Sequence, residues 1–228
     1  MDLKACEIAE ILCVTEEQVK DWAKASNLPY YLLGHQYRFN RMEVENWVIQ
    51  QRSQGKNIQI QQTVESSTIS PEGRMRHDLY RAIYHGKTYK DLDITDKFEL
   101  IKEITKLISK EYDLDHESLS SLLIDRENLM PTGINKGIAV PHTRDFLFPA
   151  HFDIVSVVYP KTPIEFDSLD RQPVHTLFFL FATTDKNHLH LLSKLANFSQ
   201  NEENRVFLQT KPSTTDLLLR IKSWESHL

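Results

Sequence analysis

The stretch Asp125-Arg126-Glu127-Asn128-Leu129-Met130-Pro131-Thr132-Gly133-Ile134-Asn135-Lys136-Gly137-Ile138-Ala139-Val140-Pro141-His142-Thr143-Arg144 runs from a helix end through a glycine-punctuated loop into a short apolar strand that stops at Pro-His. Gly133 and Gly137 permit backbone conformations and close approaches denied to other residues, so amides can face an oxyanion beside His142. A histidine at such a strand-to-loop edge is expected to be open on one side. Its ordinary pKa of about 6.5 leaves it largely neutral at cytosolic pH, with one ring nitrogen free as a nucleophile. Arg126 and Arg144 are the cations placed to neutralise incoming phosphoryl oxygens, because phosphoryl transfer is chiefly positioning and electrostatic stabilisation.

Outward from this stretch, the apolar runs 154–159 and 177–182 read as buried strands. Helical periodicity is expected over 96–112, 118–128, about 189–198 and 214–224. Strands alternating with helices give an α/β domain over 74–228. His188 and His190 are two residues apart and so on different helix faces, a poor metal site; no metal and no cofactor is expected. A neighbouring helix N-terminus would supply His188 with partial positive charge near an anion, while a helix-capping surface histidine is the plainer reading.

The other end of the chain reads differently. Leu3, Cys6, Ile8, Ala9, Ile11 and Leu12 recur at helical spacing, and Thr15 with Gln18 forms a capping box that opens a second helix. Tyr30 to Phe39 alternates around Gly34 as a hairpin does, and Asn40 caps a third helix over 41–50. The order helix, turn, helix, hairpin, helix defines a small module over residues 1–52. Residues 53–73, rich in Gln, Ser and Thr, read as a linker. Cys6 and Cys13 lie seven residues apart, too far for a disulfide within one helix, and are expected to be packing thiols.

Composition bounds the rest. The chain has 228 residues, 27 Lys+Arg against 32 Asp+Glu, and 40% hydrophobic residues, an ordinary folded composition. Its longest apolar runs fall far short of the roughly 20 residues of a membrane-spanning helix. The polar, acidic start lacks the pattern of a secretory signal, so the expected location is the cytosol.

Two families are suggested by these residues. Gly137-Ile138-Ala139-Val140-Pro141-His142 resembles the phospho-acceptor signature of the fructose/mannitol/nitrogen-related enzyme IIA family of the phosphoenolpyruvate-dependent phosphotransferase system. Arg126-Glu127, the segment Thr162-Pro163-Ile164-x-Phe166-Asp167-x-x-Asp170-x-Gln172-Pro173-Val174, and His188-Leu189-x-x-Leu192-x-x-Leu195-Ala196 agree with it in order. The resemblance implies a mixed sheet flanked by helices, His142 as the phosphorylated residue, His188 as a second active-site histidine and Arg126 as the charge-compensating arginine. Thr132, Gly133, Gly137 and Arg144 would form the phosphate loop, and an HPr-like protein would be the phosphoryl donor. Pro131 and Thr143 depart from the family pattern, which bears on phosphate affinity and on the lifetime of the phosphohistidine.

Separately, Ala5-x-x-Ile8-Ala9-x-x-Leu12-x-Val14, Val19-x-x-Trp22, Leu28-Pro29-x-Tyr31, Tyr37-Arg38-Phe39 and Val44-x-x-Trp47 resemble an excisionase-type or MerR-like winged helix-turn-helix. That resemblance implies DNA as a partner, with Lys20, His35 and Arg38 as candidate contacts. Residues 1–52 carry six Lys/Arg against eight Asp/Glu, however, and the second helix displays Glu16, Glu17 and Asp21. A DNA footprint is usually basic, so a protein-binding or dimerising module stands beside the DNA reading.

The expected function is a cytosolic regulatory phosphocarrier linked to a DNA-binding module, acting on a regulated target protein. The alternative is a transcription factor or protein-binding regulator whose IIA-like domain does not turn over phosphate. A homodimer is open under either.

Overall fold

The computed structural model describes residues 2–12, 14–25, 27–53, 77–143, 152–168 and 170–227. Cys13, Arg144 and nearly all of the expected linker lie outside the described residues.

Alternation along two strands organises the larger part of the chain. On β7 (Ile154–Pro160), Val155, Val157 and Tyr159 point to one side and Ile154 and Val158 to the other; on β8 (Thr176–Phe181), Phe178 and Leu180 oppose Leu177, Phe179 and Phe181. All of these side chains are buried, as strands covered on both faces require. The two strands pair antiparallel at the centre of a five-stranded sheet. β4 (Thr88–Leu92) adds parallel to β7, and β6 (Ile138–Ala139) adds parallel to β8. β5 (Gly133–Asn135) closes the other edge antiparallel to β6. The sheet is therefore mixed.

Helices cover both faces. α5 (Lys97–Tyr112) and α6 (His116–Leu129) bring Leu100, Ile101, Ile104, Ile108, Leu119 and Leu123 against one side. α4 (Asp78–His85), α7 (Asp185–Gln200), α8 (Glu202–Gln209) and α9 (Thr214–Glu225) cover the other. Asp96, Asp115, Thr184, Asn201 and Ser213 cap the N-termini of α5 to α9 with side-chain acceptors.

The N-terminal residues build a separate core from Ile8, Leu12, Val19, Ala23, Leu28, Phe39, Val44, Trp47 and Val48. β1 (Asp2–Lys4) leads into α1 (Ala5–Leu12), then α2 (Glu16–Lys24), the hairpin β2 (Tyr31–Leu33) and β3 (Gln36–Asn40), and α3 (Arg41–Ser53). The capping box of Thr15 and Gln18 forms, Gly34 takes a positive φ in the hairpin turn, and Asn40 accepts from the Met42 amide. Two expectations are corrected. Leu3 belongs to a strand paired with β3, because that edge of the hairpin has free backbone groups to satisfy. Cys6 is exposed rather than packed.

This module does not stand apart. α3 and α1 pack on α7, and Ile11 and Ile49 join the core of the larger part. Among the described residues no helix is long and apolar enough to cross a membrane.

Phe179, wholly buried in the sheet core, gives a direct test of this packing. Phe179→Ala is expected to lower unfolding free energy by about 3–5 kcal/mol, read from urea unfolding.

Candidate active site

β6 ends at Ala139, and the chain continues through Val140 and Pro141 alongside β8. The Leu180 amide donates to the Pro141 carbonyl (2.9 Å), and His142 bridges to Leu180. That pairing fixes where the imidazole leaves the sheet edge. Its Nδ1 lies 2.7 Å from the Val140 carbonyl oxygen. A carbonyl can only accept, so Nδ1 carries the proton and Nε2 carries the lone pair.

Arg126, one turn from the end of α6, reaches this lone pair: its Nε donates to His142 Nε2 at 3.1 Å while Nη1 donates to the Met130 carbonyl at 2.8 Å. Beside it on α6, the buried carboxylate of Glu127 accepts from the Thr132 amide (3.1 Å) and hydroxyl (2.5 Å), with Lys97 at 3.4 Å. The Thr132 carbonyl in turn accepts from the Val140 amide (2.9 Å). This chain of bonds ties the helix end, the loop and the histidine strand into one rigid frame.

His188 arrives from the first turns of α7. Its ring centroid lies 5.0 Å from that of His142, tilted edge-on, and the residue is completely buried. Neither ring nitrogen has a hydrogen-bond partner among the described residues. It is thus an interior side chain, not the surface cap that its position near a helix start suggests. Burial, and then the neighbouring His142, pushes its pKa down to about 3. Burial likewise holds His142 below the ordinary histidine value, against the pull of a nearby carboxylate. Both rings are neutral at pH 7, the state a nucleophilic imidazole needs.

The carboxylate belongs to Glu45 of α3, a residue that the sequence reading counted only among the acidic charges of the N-terminal module. Its Oε1 lies 3.2 Å from Arg41 Nε and 3.8 Å from His188 Nε2; its Oε2 lies 3.8 Å from His142 Nε2 and 4.0 Å from an Arg126 Nη. Glu45 is fully buried, and His142 beneath it is 1% exposed. The expectation of a histidine open on one side is corrected on this point: α3 covers the open side.

Of the expected site residues, then, His142, His188 and Arg126 converge. Thr132 is held in the frame by Glu127. Gly133 faces Ser168 so closely that a Cβ would lie 2.2 Å from its Oγ, and Gly137 occupies the β5–β6 turn at φ +78° with His175 against it. Arg144 lies outside the described residues. On the N-terminal module, Lys20 pairs with Glu16 on α2 (2.7 Å), Arg38 donates to Gln36 on β3 (3.0 Å), and His35 is exposed in the hairpin turn.

Glu45, His142 and His188 also present three ligand atoms within 4.8 Å of one another. Two guanidinium groups bear on the same space, one donating into the lone pair of His142 and the other paired with Glu45. A divalent cation held there would face the repulsion of both positive charges.

Residues 85–224 match the family model described as "Phosphoenolpyruvate-dependent sugar phosphotransferase system, EIIA 2". The matched residues include Arg126, His142 and His188 and begin well after Glu45. The chain is 30% identical over 142 residues to the nitrogen regulatory protein of Pseudomonas aeruginosa, covering 61% of this chain and 91% of that protein. It is 36% identical over 112 residues to the nitrogen regulatory protein of Klebsiella oxytoca, covering 48% of this chain and 68% of that one. The crystal structure of nitrogen regulatory protein IIA-Ntr from Neisseria meningitidis aligns with a TM-score of 0.56 at 26% identity, covering 63% of this chain and 98% of that one.

The buried neutral rings set the response to acid. A histidine near pKa 3 in the fold and about 6.5 when unfolded binds fewer protons folded, so stability is present above pH 6.5 and is lost as pH falls toward 3. Between pH 7 and pH 5, His188 alone is expected to remove roughly 2 kcal/mol. Thermal unfolding of wild type across this range should show a falling Tm, and His188→Gln should flatten the slope.

Proposed function

We propose a function from one premise: the chain belongs to the phosphoenolpyruvate-dependent sugar phosphotransferase system EIIA 2 family. On that premise it is a cytosolic regulatory phosphocarrier, with His142 as acceptor and an HPr-like phosphohistidine protein as donor. The observation that carries this reading is the proton arrangement of His142, whose Nδ1–H is tied to the Val140 carbonyl and whose Nε2 lone pair faces an arginine.

In the transfer, the His142 Nε2 lone pair forms a bond to phosphorus as the donor's P–N bond breaks, and the donor imidazole leaves with that electron pair. The proton on Nδ1 stays in place, and its bond to Val140 stabilises the positive charge that develops on the ring. Arg126 moves from the lone pair to the phosphoryl oxygens, and His188 Nε2 is positioned to donate to another oxygen. The similarity to nitrogen regulatory proteins favours a regulatory role over sugar import.

The N-terminal module is read as a winged helix-turn-helix over residues 1–52, supported by its element order. DNA is its proposed ligand, with Lys20, His35 and Arg38 as contacts. One observation favours the second reading, a DNA- or protein-binding regulator that does not turn over phosphate: His142 is buried beneath α3.

Incubation of the full chain with labelled phosphoenolpyruvate, enzyme I and HPr separates the two. Acid-labile, base-stable label approaching one phosphate per chain is expected on wild type and none on His142→Ala. An unlabelled wild type after prolonged incubation supports the second reading.

A further inference from the structure

Glu45 lies outside the residues that the family model matches, yet its carboxylate sits among the groups that would hold a phosphoryl group. A phosphoryl group bonded to His142 Nε2 would extend its oxygens into the volume that this carboxylate fills. Two anions sharing that volume repel strongly in a space without water. The helix that carries Glu45 is seated by further contacts: Arg41 pairs with Asp185 at the start of α7 (2.6 Å), Asn46 meets the Met130 sulfur, and Ile49 packs into the core of the larger part. With α3 in place the Nε2 lone pair is closed to any protein donor.

We propose that Glu45 is an internal occupant of the phosphoryl site, so that docking of the N-terminal module on this face and phosphate on His142 exclude one another. The inference rests on the phosphocarrier reading and assigns the partner of the acceptor face: the module's own α3, held by a carboxylate in the position of the phosphate. Opening of α3 precedes phosphorylation, and phosphate then keeps the module released. Arg126 serves both states, holding Glu45 in one and the phosphoryl oxygens in the other.

The test compares full-length wild type, Glu45→Gln and Glu45→Asp for initial rate of labelling by HPr, together with hydrogen exchange of the amides of residues 41–53 before and after labelling. Glu45→Gln, close in shape but neutral, is expected to label at least tenfold faster than wild type; Glu45→Asp, which keeps the charge, should stay nearer the wild-type rate. The α3 amides should be protected in unlabelled wild type and exchange faster once His142 carries phosphate. Equal rates for all three proteins, equal acceleration in both variants, or α3 protection unchanged by labelling overturns the proposal and spares the phosphocarrier reading. Label on none of the three, with HPr active on a control acceptor, sinks the phosphocarrier reading and the proposal with it.

Discussion

Two guanidinium groups and two imidazoles meet in a space closed to water, and such a space is stable only around an anion. Removing charge from water costs several kcal/mol per ion unless good partners replace the solvent. Here Arg41, Arg126 and the histidines surround the carboxylate of Glu45, and every element of the site is arranged by that need. α6 supplies Arg126, α7 supplies His188 and the β6 edge supplies His142. α3 brings the carboxylate that lies against both imidazoles, so the N-terminal module completes this side of the site.

The frame behind these groups explains why the lone pair of His142 is on Nε2. Pairing of the 140–142 segment with β8 sets the ring's exit, the Val140 carbonyl fixes the proton on Nδ1, and Glu127 clamps the Thr132 loop whose carbonyl holds Val140. Each bond is local, but together they turn one lone pair toward Arg126. Glu45 of α3 lies 3.8 Å from that atom, so under the proposed transfer a charge change there would act on α3 without any long-range path.

Much of this was legible in the chain itself. The strands at 154–159 and 177–182 announced a sheet buried on both faces, the capping box at Thr15 placed α2, and the Gly-Ile-Ala-Val-Pro-His run with Arg126 and His188 marked residues that the fold brings together. The edge strands β4 and β5 were weaker signals, because short edge segments carry little apolar periodicity. Glu45 was not legible, since a buried carboxylate looks like any surface acid until its partners arrive from distant elements. The one local hint was the stripe Arg41, Glu45, Ile49, spaced about one turn apart on a face adjoining that of Val44, Trp47 and Val48. An isoleucine on an otherwise polar stripe marks a face with something to cover it.

The central claim is that His142 is a neutral ring with its proton on Nδ1 and its lone pair directed at Arg126. Nitrogen-15 NMR of the histidine rings in the full-length unphosphorylated protein at pH 6.5 tests it directly, because the two nitrogens of each tautomer resonate far apart. The account predicts a neutral His142 with a protonated Nδ1 and a bare Nε2. A His142 protonated at Nε2, or an imidazolium at that pH, would contradict it.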